Sequence, residues 1–347
     1  MRSFILRTAL FVLPFMLLYV VNVTAYRQDE GDLVRLGYLY GDRSPKSAIA
    51  APFTLSTAYT LLSAVDTSTS AAFDVMTIGD SFSGQDSLGY KNFMAHQGVS
   101  VLHVDRSLAG PDPVQRLVEL LNSGFFDRIQ VGAVVLQTAE RLFVQRCEHI
   151  DFAKTVALNS LFDAMPGPDM EKTGTRIRFF SNAMLKIPWT NWEYRHTDKP
   201  AESQTYRVAT TSNELFTNGP KELLFFEDDL KAVPLKNDTA KIAACNRNLE
   251  EIARLLAKRS IKLIVLVSPD KYDLYYPYIV DKATYKEPKF FPYYNKLPKS
   301  YANLDVFGPL SAQLPVVKDV YYYDDTHWSP ATAKWVGEQL AAMVKGR

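Results

Sequence analysis

The chain reads as an α/β protein built on a parallel sheet with helices on both faces, preceded by an apolar N-terminal segment. Three observations predict this. Short β-rich runs alternate with amphipathic helical stretches, the order that a parallel sheet with crossover helices requires. One run, Ile261–Val267 (IKLIVLV), is apolar throughout, as a strand covered on both faces should be. Residues Thr8–Val23 form a nearly unbroken apolar stretch behind Arg2 and Arg7.

The 347 residues suffice for one large domain with insertions or two modest ones. The formal net charge is +1, with no basic block, so the clustered cationic surface needed by a nucleic-acid partner is missing. Two cysteines, Cys147 and Cys245, occur without a CxxC or a Cys/His cluster, which argues against a structural metal; no cofactor is implied either. Cys245 falls on the apolar stripe of a helix, as a buried thiol would; a disulfide between the two is the alternative in an oxidising compartment.

Residues 1–25 fit a signal anchor or a signal peptide. Counted back to Phe4, the apolar run approaches the roughly 20 residues needed to cross a bilayer. Val23-Thr24-Ala25 would pass as a cleavage site, but an uncleaved anchor with Arg2 and Arg7 cytoplasmic is the preferred reading. In both cases the bulk of the chain is exported.

Residues 26–70 read as a juxtamembrane linker ending in the run VDTSTSAA, and residues 71–347 as the folded domain. Phe73–Ile78 and Val99–Val104 are the first two strands. A helix follows from Pro111, with Val114, Leu117, Val118 and Leu121 at helical spacing and Gly124 as its stop. VGAVVLQ is the third strand, and residues of about 146–235, rich in Pro, Thr and aromatics, read as an insertion or lid. Asn237 or Asp238 opens a helix with Ile242, Cys245, Leu249, Ile252 and Leu256 on one face. After the strand IKLIVLV comes a Tyr/Pro-rich loop from Tyr272 to Tyr301, then DVYYYDD as a last strand. Ser329 and Pro330 start the final helix, which runs to about Val344. About five strands are expected.

Open α/β sheets place their sites at the carboxyl ends of the strands. The first strand runs into Gly79-Asp80-Ser81, the second is followed by Ser107–Gly110, the third runs into Gln137–Arg141, and the last ends in Asp324-Asp325-Thr326-His327. A serine hydroxyl is a weak nucleophile unless a base, usually a histidine held by a carboxylate, takes its proton. Ser81 is therefore the candidate nucleophile and His327 the candidate base, with Asp325 or Asp324 as the orienting acid. The backbone N–H groups of Ser81 and Gly110 are candidate oxyanion donors. Asp80 is expected to set the turn without a chemical role. Trp189, Trp192 and the tyrosines of the 272–301 loop, Tyr275 and Tyr276 among them, have faces that stack on sugar rings, and Trp328 follows the histidine directly.

IGDSFS resembles the first block of the SGNH (GDSL-type) hydrolases, and DDTHWS their last, Asp-x-x-His. DTHWS and the TAER run after the third strand resemble the periplasmic O-acetyltransferases of alginate biosynthesis, the AlgJ/AlgX group. The resemblance covers residues of roughly 70–145 and 260–345, and it implies a three-layer, flavodoxin-like fold. It also implies acetyl transfer through a serine acyl-enzyme to a polysaccharide, with a multi-pass membrane O-acyltransferase as acetyl supplier. The place would be the bacterial inner membrane, with the domain in the periplasm, or the periplasm alone after cleavage. A carbohydrate esterase with the same triad and a non-catalytic polysaccharide-binding protein are the alternatives. Two departures stand out. The Gly-x-Asn-Asp block of SGNH esterases is replaced by Gln137–Arg141, which leaves Gln137 or Arg141 as substitute oxyanion donors and Arg141 as a substrate contact. General SGNH spacing points to Asp324 as the acid, whereas the acetyltransferase spacing, with THW directly after it, favours Asp325.

Overall fold

The computed structural model describes residues 1–25, 31–40, 46–65, 70–163, 183–217 and 219–346. Parts of the expected linker and insertion (26–30, 41–45, 66–69 and 164–182) lie outside the described residues.

Helix α1 (Arg2–Ala25) is long and apolar enough to cross a membrane. Many of its apolar side chains, Phe4, Leu6, Leu10 and Phe11 among them, stand exposed. A core helix would hide such a surface.

The domain is organised by a six-stranded sheet in the order β1 (Thr60–Leu61), β3 (Val101–His103), β2 (Ala71–Ile78), β4 (Ile129–Ala139), β7 (Lys262–Ser268), β8 (Ala302–Asn303). Every neighbouring pair is parallel. The strands β5 (Thr205–Ala209) and β6 (Glu222–Phe226) form a separate antiparallel pair within the insertion. Four of the expected strands, β2, β3, β4 and β7, are present. The other two strands of the sheet are two-residue edges, β1 inside the expected linker and β8 directly after the expected Tyr/Pro-rich loop.

Alternate residues of the central strands feed two cores, because successive side chains of a strand point to opposite faces. Val75, Ala133, Val135, Ile264 and Leu266 meet Tyr90, Phe93 and Met94 of α2 (Tyr90–His96) and Ala333, Val336 and Leu340 of the C-terminal helix Pro330–Val344. Met76, Val134, Leu136, Leu263 and Val265 meet α3 (Pro113–Asn122) and the helix Thr239–Ala257. Both of these last helices are capped as their sequences suggest, with Asp112 and Asp238 accepting hydrogen bonds from first-turn N–H groups. Cys147 and Cys245 are buried free thiols.

Two expectations need correction. DVYYYDD is not a strand. It makes one isolated antiparallel bridge, Tyr321 to Trp328, and its other backbone groups bond to scattered loop backbone and to side chains. The Lys271 ammonium takes the carbonyls of Tyr322 and Tyr323 at 2.7 and 2.6 Å, and the Tyr321 N–H donates to the Tyr275 hydroxyl. The region 26–70 is not a plain linker either, because Leu33, Val34 and Leu39 are buried in the core.

Behind the sheet edge lies an internal charge cluster. Lys236, 1 % exposed, donates to Asp270 and Asp273 at 2.7 Å each and lies 3.4 Å from Glu140. Burial and the neighbouring Asp273 push Glu140 well above the usual carboxylate range. Lys236→Met leaves the buried acids without their cation. It is expected to destabilise the fold by about 3–5 kcal/mol, read as a lowered thermal midpoint.

Candidate active site

From β2 the chain goes to β3 on one side, then crosses back to β4 on the other. The crevice outside the carboxyl ends of β2 and β4 is therefore the topological switch point, where ligands of open α/β sheets bind. Ser81 sits there, in the turn directly after β2.

That turn is held from several sides. The Asp80 carboxylate accepts from the Phe82 N–H (3.1 Å), the Ala139 N–H at the end of β4 (2.7 Å) and the Arg146 guanidinium (2.7 Å). Burial would raise its pKa, but the Arg146 charge and these bonds hold it below the usual range. Gln137 accepts from the Asp80 N–H at 2.9 Å and the Ser83 hydroxyl at 3.0 Å, and donates to Ser268 at 3.0 Å. Buried Lys91 donates to the Ser83 carbonyl at 2.5 Å. Gly79 has no room for a side chain: a Cβ would stand 2.3 Å from the Ser83 hydroxyl and 2.4 Å from the Gln137 carboxamide oxygen.

In the loop before the C-terminal helix, His327 Nδ1 lies 2.6 Å from Asp325 Oδ1, which also accepts the His327 N–H at 3.0 Å. His327 Nε2 is buried without a hydrogen-bond partner among the described residues. Ser81 and His327 line one cleft of about 310 Å³, together with Tyr59, Gln85, Lys91, His103 and Arg106. The His327 ring lies 4.8 Å, centroid to centroid, from that of Phe82, the residue after the candidate nucleophile.

Burial works against a charged imidazole, but the hydrogen bond and charge of Asp325 and the charge of Asp32 outweigh it and raise the His327 pKa. Burial likewise opposes ionisation of Asp325, yet His327 and then Lys46 hold it far below the usual range. A base must be neutral to accept a proton, and a raised pKa keeps the imidazole protonated to higher pH. The kcat/KM profile is therefore expected to rise with pH through a limb above the ordinary histidine value of about 6.5, as steady-state rates across pH 5–9 would show.

Several expected site residues stand elsewhere. Asp324 points its Oδ2 at the Gly31 N–H (3.1 Å) and not at the imidazole. The Gly110 N–H donates to the Arg106 carbonyl at 3.0 Å, and Gln137 serves the Ser81 turn, so neither group is directed into the cleft. The N–H groups of Phe82, Ser83 and Gly84 are bound within the turn, and that of Ser81 is not among them. Arg141 pairs with Asp229 at 3.2 Å and Asp270 at 3.0 Å in the buried cluster. Trp328 and Tyr275 are 0 % exposed, and the half-buried Tyr276 hydroxyl donates to the Tyr285 carbonyl. Trp189 and Trp192 are open to solvent but outside the cleft, and none of the described residues of the insertion lines it. Tyr59, Lys91 and Arg106 are cleft residues that no sequence signal marked.

Two acidic groupings could in principle hold a metal: Asp32, Asp325 and His327, and Glu140, Asp270 and Asp273. In the first, the 2.6 Å contact between imidazole and carboxylate is a hydrogen bond, shorter than the separation of about 3 Å between two ligands of one ion. In the second, the Lys236 ammonium already occupies the centre.

Residues 217–347 match the family model described as an SGNH hydrolase-like domain, acetyltransferase AlgX. This span includes Lys271, the loop carrying Asp325 and His327, and the C-terminal helix, but not Ser81. No curated protein and no solved structure matches the chain. By that match the C-terminal residues 217–347 are similar to an SGNH hydrolase-like domain of the AlgX group, and the all-parallel six-stranded sheet flanked by helices is the α/β architecture that such a domain requires.

Proposed function

We propose that this chain is an O-acyltransferase that moves acetyl groups onto hydroxyls of a cell-envelope or exported polysaccharide through an acyl-enzyme on Ser81. The observation that carries the reading is the shared cleft: Ser81 and His327 both line it, and the imidazole has its Nδ1 held by Asp325 and its Nε2 without a partner among the described residues. In the first half-reaction the Ser81 hydroxyl attacks the acyl carbonyl and passes its proton to His327 Nε2. The Ser81 N–H, outside the turn's own hydrogen bonds, donates to the developing oxyanion. The donor's leaving group takes the proton from His327. In the second half-reaction a sugar hydroxyl gives its proton to His327 and attacks the acyl-enzyme carbonyl; the bond to the Ser81 oxygen breaks, and Ser81 takes the proton back from His327 Nε2. The Tyr59 ring lines the same cleft, with the Lys91 ammonium over it and His103 edge-on against it.

α1 serves as a bilayer anchor in this reading, with the domain on the periplasmic side of the inner membrane. A multi-pass membrane O-acyltransferase supplies the acetyl groups, because a single apolar helix cannot carry them across.

The test is turnover of 4-nitrophenyl acetate by the full chain in detergent, with and without an acceptor oligosaccharide, followed by product mass. Acetylated sugar supports the transferase. Free acetate alone makes the protein an esterase with the same site. Nitrophenol release no faster than that of Ser81→Ala removes the catalytic reading and favours a binding role.

A further inference from the structure

The loop that carries Asp325 and His327 is held by residues from the opposite end of the chain. The Asp32 carboxylate accepts from the Thr326 N–H at 2.7 Å and the Thr326 hydroxyl at 2.5 Å, and its Oδ2 lies 3.8 Å from His327 Nδ1. The Gly31 N–H donates to the Asp324 carboxylate, and the Leu33 N–H to the Asp324 carbonyl, both at 3.1 Å. The contact is too close for a side chain at Gly31, whose Cβ would stand 2.0 Å from the Asp324 carbonyl oxygen. The Lys46 ammonium donates to Asp325 Oδ2 at 2.6 Å and lies over the Tyr322 ring. The chain between Ala25 and Gly31 can reach at most about 20 Å. Whatever holds α1 therefore holds the catalytic loop within that distance.

We propose that the segment following the apolar helix is a working part of the active centre, with Asp32 and Lys46 as positioning residues that hold the Asp325–His327 pair in register. Asp32 is a second carboxylate behind the imidazole, on the Nδ1 side. Lys46 engages the carboxylate oxygen that His327 does not use. The two residues thus bias the imidazole in opposite electrostatic senses while sharing one structural task. The catalytic consequence rests on the proposed roles of Ser81 and His327; the placement of the segment does not.

His327 also faces other charges. Asp324 and Asp325 lie on its own loop, Lys271 comes from the turn after β7, and Arg141 from the helix after β4. Asp86, Lys91, His103, Asp105 and Arg106 line the cleft. All of these stay in place in the test, so only the segment's own charges change.

The experiment is a histidine-ring NMR titration of the full chain in detergent, assigned with His327→Gln, alongside 4-nitrophenyl acetate turnover against pH. Asp32→Asn is expected to move the His327 midpoint down by about half a pH unit or more, and Lys46→Met to move it up. The acid limb of kcat/KM should follow in both variants. A part that only supported the fold would lower the melting temperature and leave both midpoints where they were. Unmoved midpoints, or shifts in the same direction, overturn the proposal. Opposite shifts in a protein with no turnover would keep the positioning role and remove the catalytic reading instead.

Discussion

Ser81→Ala is expected to lower ester turnover by about a thousand- to ten-thousand-fold while leaving the fold intact. The loss is large because the proposed reaction has no other route to a covalent acyl-enzyme. The fold survives because the turn around Ser81 relies on other groups. The Asp80 carboxylate, the Gln137 carboxamide and the Lys91 ammonium hold it, and its internal bonds run from the Ser83 N–H to the Asp80 carbonyl and from the Gly84 N–H to the Ser81 carbonyl. Removing one partly exposed hydroxyl should therefore change stability by no more than about 0.5 kcal/mol. His327→Gln should cost a similar factor, and the double variant should be little worse than either alone, since nucleophile and base act as one unit. A second readout is the mass of the Ser81 peptide after a brief reaction with the nitrophenyl ester. The native chain should gain one acetyl group there. A Ser81→Ala chain that keeps native rates, or an acetyl group found on another peptide, would assign the nucleophile elsewhere.

The parts of this molecule that were legible in its sequence are those whose signal is local. β2, β4 and β7 are long runs of buried apolar residues between helices with readable caps, and burial on both faces writes itself into composition. The strand-end serine and the acid-rich DDTHWS were visible for the same reason. DVYYYDD misled because Val and Tyr have the shape of strand residues, whereas its hydrogen-bond partners include a lysine and a tyrosine side chain about 50 positions away and no neighbouring strand of the sheet. The aromatic residues misled in another way. Composition marks Trp328, Tyr272 and Tyr275 as rings suited to sugars, but all three are 0 % exposed and fill the core, while Tyr59 in the cleft sits in a stretch without any motif. Asp32 and Lys46 lie nearly 300 residues from the loop they touch, and no periodicity or spacing can reach across that separation.

The largest effect after loss of the nucleophile is expected at Asp325, and it separates two adjacent acids that spacing alone could not. A base histidine must present a lone pair at Nε2, so its proton must sit at Nδ1, and a carboxylate at Nδ1 enforces that tautomer. Asp325 Oδ1 is 2.6 Å from Nδ1 and takes the His327 N–H as well, which fixes the ring against its own backbone. The Asp324 carboxylate faces the Gly31 N–H instead. Asp325→Asn is therefore expected to cost up to about ten-thousand-fold in kcat/KM, because an amide N–H directed at Nδ1 favours the wrong tautomer. Asp324→Asn should cost about tenfold or less in rate and about 1–2 kcal/mol in stability, through the weakened hold on Gly31. Steady-state rates and thermal melts of the two variants decide the matter, and the reverse pattern would make Asp324 the acid. Asp32 adds a last distinction. At 3.8 Å from Nδ1 it is too far for a hydrogen bond but near enough to favour a charged ring, so it can soften the loss of Asp325 without replacing it. Adding Asp32→Asn to Asp325→Asn should then remove activity that Asp325→Asn alone retains.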